Sequence, residues 1–272
     1  MTICYSGNHL LHALLAAQTT LMAHVRPVEL SAGTVLQQAF EPVRQVYFPV
    51  DALLSVQQSL ADGHLTEIAA IGSEGLSGVV ACLLGADRPS TQLLVTLRGW
   101  AYQLDLEVLR ASARQSERVR ALLLRYMARQ LGELSQLHGC ATHHSALQRL
   151  CAWLLQIRAR FECDAVAVTH DDLGNILGLR RESVSHALAR LRGQGTLTTR
   201  RFSLRMVDVA ALQQQACACH VPLQAALQQW RRELQDCAAP LPQRRSRAAD
   251  RRQNLAAAGG RRASPVMPAG PH

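Results

Sequence analysis

The chain has 272 residues, of which 48% are hydrophobic, enough for one large or two medium-sized domains with buried cores. No run of about 18 uncharged apolar residues occurs, so no transmembrane helix is predicted, and the N-terminal segment lacks the basic region of a secretory signal peptide. The composition excludes collagen, coiled-coil rods and wholly disordered proteins.

Charge is distributed unevenly along the chain. All of its basic residues are arginines; residues 1–116 carry a net charge of −3, residues 140–217 carry +4 and residues 240–272 carry +6. This segregation suits a sensor-like half joined to a half that binds a polyanion. A codon bias towards arginine accounts for the missing lysines but not for the segregation.

The eight cysteines are scattered and form no Cys-x-x-Cys pair. Without an export signal they are predicted to be reduced thiols in a cytoplasmic protein. The run Cys217-Ala218-Cys219-His220 places metal-ligand types close together. Because no distant partner is evident, it falls short of a zinc signature, and no metal site is predicted.

The N-terminal half begins with helical periodicity over residues 9–24 and then changes to short apolar or alternating segments separated by turn residues. These segments are Thr34–Gln37, Gln45–Phe48, Ala52–Gln58, Leu65–Ile71, Gln92–Leu97 and Trp100–Leu104. Short strands at this spacing indicate a jelly-roll-like β-domain.

The middle of the chain is predicted to be helical, with helices over Leu106–Gln115, Glu117–Leu137 and Ser145–Arg160. In the second helix an apolar seam follows 3-4-3 spacing, which is typical of a coiled coil. The seam consists of Leu124, Met127, Leu131 and Leu134. Pairing with a second chain and packing on the parent domain both explain it. Residues 139–142 are expected to break or kink the helix.

Residues 168–197 carry the pattern of a helix-turn-helix. Thr169 and Asp172 form a predicted capping box for a helix over Asp171–Leu177, and Gly178 supplies the turn. A second helix begins near Arg180 and buries Val184, Leu188 and Leu191. A hairpin follows, with strands over Gly195–Thr199 and Phe202–Val207. Further helices are predicted over Val209–Cys217 and Leu223–Leu234, and the stretch beyond Pro240 is predicted to be disordered.

The second helix presents arginine, glutamate and serine side chains on its outward face. A helix in the major groove needs forked donors for guanine, an acceptor for cytosine and hydroxyls for phosphate, and Arg181, Glu182 and Ser183 or Ser185 supply them. The arginines at the tip of the hairpin would reach the sugar-phosphate backbone. An exposed helix with solvated charges is the alternative.

The segment Gly178–His186 resembles the recognition-helix signature of Crp/Fnr-type transcription regulators, usually G-x-[ST]-R-E-[ST]-V-[SG]-R. The sequence segments Val46–Pro49 and Ile71–Gly78 resemble those of a subgroup whose members have the β-roll of the family but no obvious nucleotide site. The resemblance implies an α+β fold with an N-terminal jelly-roll-like, cyclic-nucleotide-binding-like β-roll, a long dimerisation helix and a C-terminal winged helix-turn-helix.

By this resemblance the domains are the sensor β-roll (8–116), the dimerisation helix (117–139) and the DNA-binding domain (140–219), followed by an Arg/Ala/Pro-rich tail (240–272). Arg181 and Glu182 occupy the two strongest DNA-contact positions. The complete predicted DNA-binding set is Arg180, Arg181, Glu182, Ser183, Ser185, His186, Arg190, Arg200 and Arg201.

Two residues depart from the signature. Arg180 stands where Ser or Thr normally caps the recognition helix, and the loss of that cap costs about 1 kcal/mol. His186 replaces an arginine that pairs with guanine, so a different half-site is expected.

The β-roll does not favour cyclic-AMP binding. Residues 77–80 have no carboxylate at the place expected for the ribose, and Pro89 removes a backbone donor between Arg88 and Ser90. The cofactor-binding residues and the effector are therefore unknown.

These features predict a cytoplasmic, homodimeric, sequence-specific regulator that binds double-stranded DNA at a near-palindromic site, responds to an unidentified small-molecule effector and contacts RNA polymerase but no membrane. The alternative is a ligand-binding regulatory protein that acts through protein contacts and has a degenerate helix-turn-helix. No paired acids, nucleophile–base pair or phosphate loop is evident, so no enzyme is predicted.

Overall fold

The computed structural model describes residues 7–161, 163–200 and 203–238. Its N-terminal half contains two antiparallel sheets. One has the strand order β1 (Arg26–Leu30), β7 (Gly99–Asp105) and β3 (Gln45–Pro49). The other has the order β2 (Val35–Gln37), β6 (Thr91–Leu97), β4 (Leu53–Ser59) and β5 (Leu65–Ile71). A buried core that includes Leu54, Ile71, Val95 and Ala101 lies between them.

All six predicted strand segments are confirmed. Strand β1 was not predicted, and its sequence explains why. Pro27 is its second residue, and proline is tolerated in a sheet only where no ladder donor is needed. Strand β1 occupies the edge of its sheet, where this condition is met. A short helix, α2 (Val79–Leu84), was also not predicted; it begins after Gly78, whose φ is 76°.

The predicted helix over residues 9–24 is interrupted. Helix α1 (His9–Ala17) ends at Gln18, whose backbone is extended, and a 3₁₀ helix (Thr19–His24) follows. The Asn8 side chain caps α1 by accepting from the backbone N–H of Leu11 at 2.8 Å. The buried leucines of α1 join the core that contains Phe48.

The helices α3 (Leu106–Gln115) and α4 (Glu117–His143) connect the two halves of the chain. The expected break at residues 139–142 is wrong, because α4 continues through them to His143. Glycine lowers helix stability by about 1 kcal/mol relative to alanine. The helix nevertheless includes Gly139, and the next residue, Cys140, is buried. With 27 residues, α4 is about 40 Å long.

The C-terminal half contains α5 (Ala146–Phe161), α6 (His170–Leu177), α7 (Arg181–Gly193) and α8 (Val209–Gln215), with a small sheet of order β8 (Ala165–Val166), β10 (Ser203–Met206) and β9 (Leu197–Arg200). These elements confirm the winged helix-turn-helix. The residues described belong to one compact unit. In that unit α6 packs on β5, and a core cluster that joins them includes Leu53, Ala70 and Leu173.

The last helix, α9 (His220–Cys237), is longer than the predicted Leu223–Leu234 and returns to the N-terminal half. Trp230 and Leu234 are buried in the core that contains Phe48 and Tyr126. The Trp230 indole Nε1 donates to the carbonyl of Glu74 at 2.9 Å. Helix α9, which follows the boundary predicted at residue 219, therefore packs against the β-roll.

A buried ionic network lies where β-roll, α4 and α5 meet. Arg160 contacts Glu74 at 3.4 Å and Glu133 at 2.8 Å, and Arg129 contacts Glu133 at 3.0 Å. Burial alone would raise the pKa of Glu74, but the Arg160 and Arg129 guanidinium groups lower it overall. The network keeps Glu74 ionised and fixes the orientation of these elements.

Candidate nucleic-acid interface

The helix-turn-helix begins with a complete capping box, as predicted. The Thr169 hydroxyl accepts from the Asp172 backbone N–H at 3.0 Å, and the Asp172 carboxylate accepts from the Thr169 N–H at 2.8 Å. Both interactions satisfy backbone donors at the start of α6. The helix begins one residue earlier than predicted, at His170.

Two glycines shape the turn between α6 and α7. Gly178 adopts the left-handed conformation, with φ of 57°, and ends α6. A Cβ atom on Gly174 would lie 3.0 Å from the carbonyl oxygen of Leu179. The backbone N–H of Leu179 in turn donates to the carbonyl oxygen of Gly174 at 2.9 Å. The close passage of the turn over α6 therefore favours glycine at both positions.

Helix α7 buries Val184, Ala187, Leu188 and Leu191 against the domain. At about 100° per residue, the opposite direction is that of Glu182 and His186, both of which are exposed. Arg181 and Ser185 flank this ridge on one side. The other flank is formed by Ser183, which is half-buried, and Arg190, which is exposed. The predicted residues of α7 therefore surround a single outward ridge.

Two residues of this surface already have partners in α6. The Ser185 hydroxyl lies 3.1 Å from His170 Nδ1, which joins the two helices. Arg181 forms an ion pair with Asp171 at 3.3 Å, and both side chains are about two-thirds exposed. Exposed pairs of this kind contribute little, so the Arg181 guanidinium can exchange this partner for another anion or acceptor.

Arg180 occupies the N-cap of α7 and makes no side-chain capping bond, in agreement with the departure noted in the sequence. Its side chain is exposed beside the ridge.

The hairpin after α7 extends the basic surface. Arg200 is exposed at the end of β9, where it pairs with Ser203 of β10. Arg201 lies outside the described residues. Sequence reasoning missed Arg192, which is exposed, borders a shallow pocket with Arg181, Glu182 and His186, and reaches Thr199 at 3.4 Å. It follows Arg181 by 11 residues, close to three full turns, and this spacing was a usable signal.

A separate cavity of about 360 Å³ lies between the β-roll and α4. Its described lining carries no formal charge and is mainly apolar, with a few glutamine and hydroxyl side chains. Helix α4 contributes Met127, Gln130, Leu131 and Leu134. Pro89 lines the cavity, but Arg88 donates to the carbonyl of Phe40 and Ser90 contacts Gln58.

The apolar seam of α4 is partly uncovered. Leu124 is 36% exposed, Leu131 is 64% exposed and Leu134 is 38% exposed, whereas Met127 packs against the N-terminal core. No helix in the described part of the chain combines the length and apolar character needed to cross a membrane.

Comparison with known proteins gives a family match for the C-terminal domain and a relative that is similar over most of the chain. Residues 148–215 match the Crp-like helix-turn-helix domain. The CRP-like cAMP-activated global transcriptional regulator of Mycobacterium tuberculosis is 24% identical over 208 residues, which cover 74% of this chain and 92% of that protein.

Solved structures show the same fold. FixK2 of Bradyrhizobium japonicum aligns with a TM-score of 0.62 at 20% identity, over 71% of this chain and 98% of that one. A CRP-family transcriptional regulator of Thermus thermophilus aligns with a TM-score of 0.60 at 20% identity, over 70% and 96%.

Proposed function

We propose that this chain, a DNA-binding transcription regulator of the Crp/Fnr type, recognises a near-palindromic duplex site as a homodimer under the control of a small-molecule effector. The observation that carries the proposal is the exposed ridge of α7, which is formed by Glu182 and His186 and flanked by the exposed Arg181. The matched proteins are regulators and not enzymes, in agreement with the prediction from the sequence.

In the proposed complex α7 enters the major groove. Arg181 donates to guanine, Glu182 accepts from cytosine N4, and His186 contacts a neighbouring base edge. Arg180, Ser183, Ser185, Arg190 and the hairpin arginines Arg200 and Arg201 contact phosphates. The exposure of the described arginines supports this division, because none of them is held in a buried ion pair.

The second chain is proposed to pair along α4. Leu124, Leu131 and Leu134 form an apolar surface that needs cover, and 3-4-3 spacing is the pattern of helix pairs. A twofold axis parallel to α4 would place two α7 helices in successive major grooves about 34 Å apart.

The cavity between the β-roll and α4 is the proposed effector site. A ligand there would contact Leu131 and Leu134 of the apolar seam directly. Its contacts would differ between two arrangements of the paired α4 helices, so it would favour one arrangement over the other. The Mycobacterium tuberculosis relative is named as cAMP-activated. We propose a different, largely apolar effector here, because the lining offers no charge to a phosphate. RNA polymerase is the proposed protein partner and the cytoplasm the proposed location.

Selection of bound duplexes from a randomised pool tests the DNA-reading assignment. We expect the wild-type chain to enrich one half-site, and Glu182→Ala to lose preference at one base pair, a loss of about 1–3 kcal/mol of discrimination. Arg200→Ala should instead weaken binding to all sequences and lower the slope of log affinity against log salt by about 1.

Arg44→Ala is the matched control, because Arg44 is an exposed arginine that precedes β3 of the β-roll and is not part of the helix-turn-helix or the hairpin. It should change neither the selected sequence nor the salt slope. If the wild-type protein shows no preference among duplexes at physiological ionic strength, the degenerate helix-turn-helix is the correct interpretation.

A further inference from the structure

Three cysteines and a histidine meet where the end of α4 contacts the junction between α8 and α9. They are Cys140, His144, Cys217 and Cys219, and their ligand atoms all lie within 4.8 Å of one another. The Sγ atoms of Cys140 and Cys217 are 3.4 Å apart, and Cys219 Sγ is 3.6 Å from His144 Nδ1. The long helix thus supplies the distant partners that the Cys-x-Cys run lacks in the sequence.

Local structure explains this choice of histidine. His144 is the C-cap residue directly after α4, and its backbone N–H donates to the carbonyl oxygen of Cys140 at 3.1 Å, which holds the two residues together at the end of the helix. His220 follows Cys219 directly, but its Nδ1 lies 2.7 Å from the carbonyl oxygen of Cys217 and is thereby turned away from the thiols. The continuation of α4 past Gly139 is what brings His144 into the group.

We propose that Cys140, His144, Cys217 and Cys219 bind one zinc ion. Zn²⁺ prefers four tetrahedral ligands, with Zn–S of about 2.3 Å and Zn–N of about 2.0 Å, so two bound sulfurs are about 3.8 Å apart and a bound sulfur and nitrogen are about 3.5 Å apart. The Cys140–Cys217 sulfur separation of 3.4 Å and the Cys219 Sγ–His144 Nδ1 separation of 3.6 Å are close to these values. Three sulfurs and one imidazole form a closed structural set, and such soft ligands disfavour magnesium and calcium.

The surroundings fit an anionic metal centre. Three thiolates and one Zn²⁺ carry a net charge of −1, and the Arg149 guanidinium interacts electrostatically with both Cys140 and Cys217. Cys140 and Cys217 are nearly fully buried, so a metal held by them would be shielded from solvent. Zinc binds thiolates, so its binding would release the protons of the three thiols.

The proposed zinc site lies where the apolar packing between α4 and the junction of α8 and α9 is sparse. Among the residues described, the buried core cluster at this junction consists of Cys140, Ala152 and Cys217, with Ala216 and Cys219 partly buried against it. A bound ion would join α4 to both α8 and α9 at a place where few apolar contacts do so. This inference does not depend on the proposed DNA recognition.

Metal content of the full-length chain, purified under reducing conditions from zinc-supplemented culture, tests the proposal. We expect one zinc per chain by mass spectrometry, and the loss of at least nine-tenths of it in Cys219→Ser and in His144→Ala. Cys219→His, which retains a ligand, should keep the metal. Replacement of zinc by Co²⁺ should give the thiolate charge-transfer and tetrahedral d–d absorption bands.

Neighbouring residues provide matched controls. Cys163→Ser and His143→Ala change an exposed thiol and an exposed imidazole outside the group and should retain one zinc per chain. Circular dichroism verifies that each variant is folded. A folded wild-type protein without zinc or cobalt bands, a Cys140–Cys217 disulfide in its place, or equal zinc loss in the control variants would overturn the proposal.

Discussion

The carboxyl group of Glu67 lies in an environment that disfavours its ionised form. It lines a cavity of about 350 Å³ between β5, α4 and α6, and its Oε2 atom is shielded from solvent without a hydrogen-bond partner. Burial raises its pKa from 4.5 to about 7, while Arg160 opposes this effect and Glu133 adds to it. The folded state therefore binds the Glu67 proton more tightly than the unfolded state does.

This raised pKa predicts the pH dependence of stability. The protonated carboxyl is tolerated below about pH 4.5, and the cost of ionising it grows as pH rises to about 7. We expect Glu67→Gln to increase the free energy of unfolding by about 2 kcal/mol more at pH 8 than at pH 5. Urea unfolding at both pH values measures the difference. The exposed Glu41→Gln is the control, and an equal effect of Glu67→Gln at both pH values would contradict the argument.

At the residue scale, the sequence predicted which side chains are exposed better than it predicted which side chains contact one another. Glu182, His186 and Arg190 were assigned to the outer face of α7 because helical periodicity fixes direction. The contact of Ser185 with His170 was not predictable, because it depends on the crossing of α6 and α7. The same limit applies to Cys140, which is 77 residues from Cys217 and meets it only through the tertiary fold.

Among the elements, α9 shows how a helix can be predicted while its role is not. Its apolar periodicity indicated a helix, but no local pattern specified that Trp230 would pack on Tyr126, with ring centroids 6.3 Å apart. Strand β1 shows the converse, since Pro27 obscured a strand whose edge position removes the conflict. Residue propensities predict that a helix or strand forms, whereas its packing neighbours are known only from the folded structure.

Helix α9 is expected to contribute strongly to stability through Trp230, which is 4% exposed and hydrogen-bonded to the Glu74 carbonyl. Trp230→Ala should lower the free energy of unfolding by about 3–5 kcal/mol, because it leaves a cavity and an unpaired buried acceptor. Trp100→Ala is the matched control, since Trp100 is 42% exposed, and should cost less than about 1 kcal/mol. Chemical unfolding followed by circular dichroism compares the two; similar losses would mean that α9 is not part of the cooperative core.

At the scale of the whole molecule, α4 connects every proposed activity. It lines the cavity of the β-roll through Leu131 and Leu134, carries Arg129 and Glu133 of the buried ionic network, and ends next to His144 of the proposed zinc site. A shift of this helix would therefore change the proposed effector cavity, the proposed dimer surface and the contact with the helix-turn-helix domain. We propose that an effector acts through α4 on the orientation of α7.

The dimer seam gives the corresponding prediction. Leu131→Glu places a charge on the most exposed residue of the seam, where pairing would have to bury it without a partner, so we expect the chain to become monomeric at micromolar concentration. Light scattering coupled to size exclusion measures the mass, and the affinity for a palindromic duplex should fall at least tenfold because two half-sites are no longer bound together. Val221→Glu, at a position that is 57% exposed on α9, is the control and should leave the mass unchanged. A Leu131→Glu protein that stays dimeric would place the interface on another surface, and one that becomes monomeric yet keeps full affinity would show that α4 pairing does not position the recognition helices.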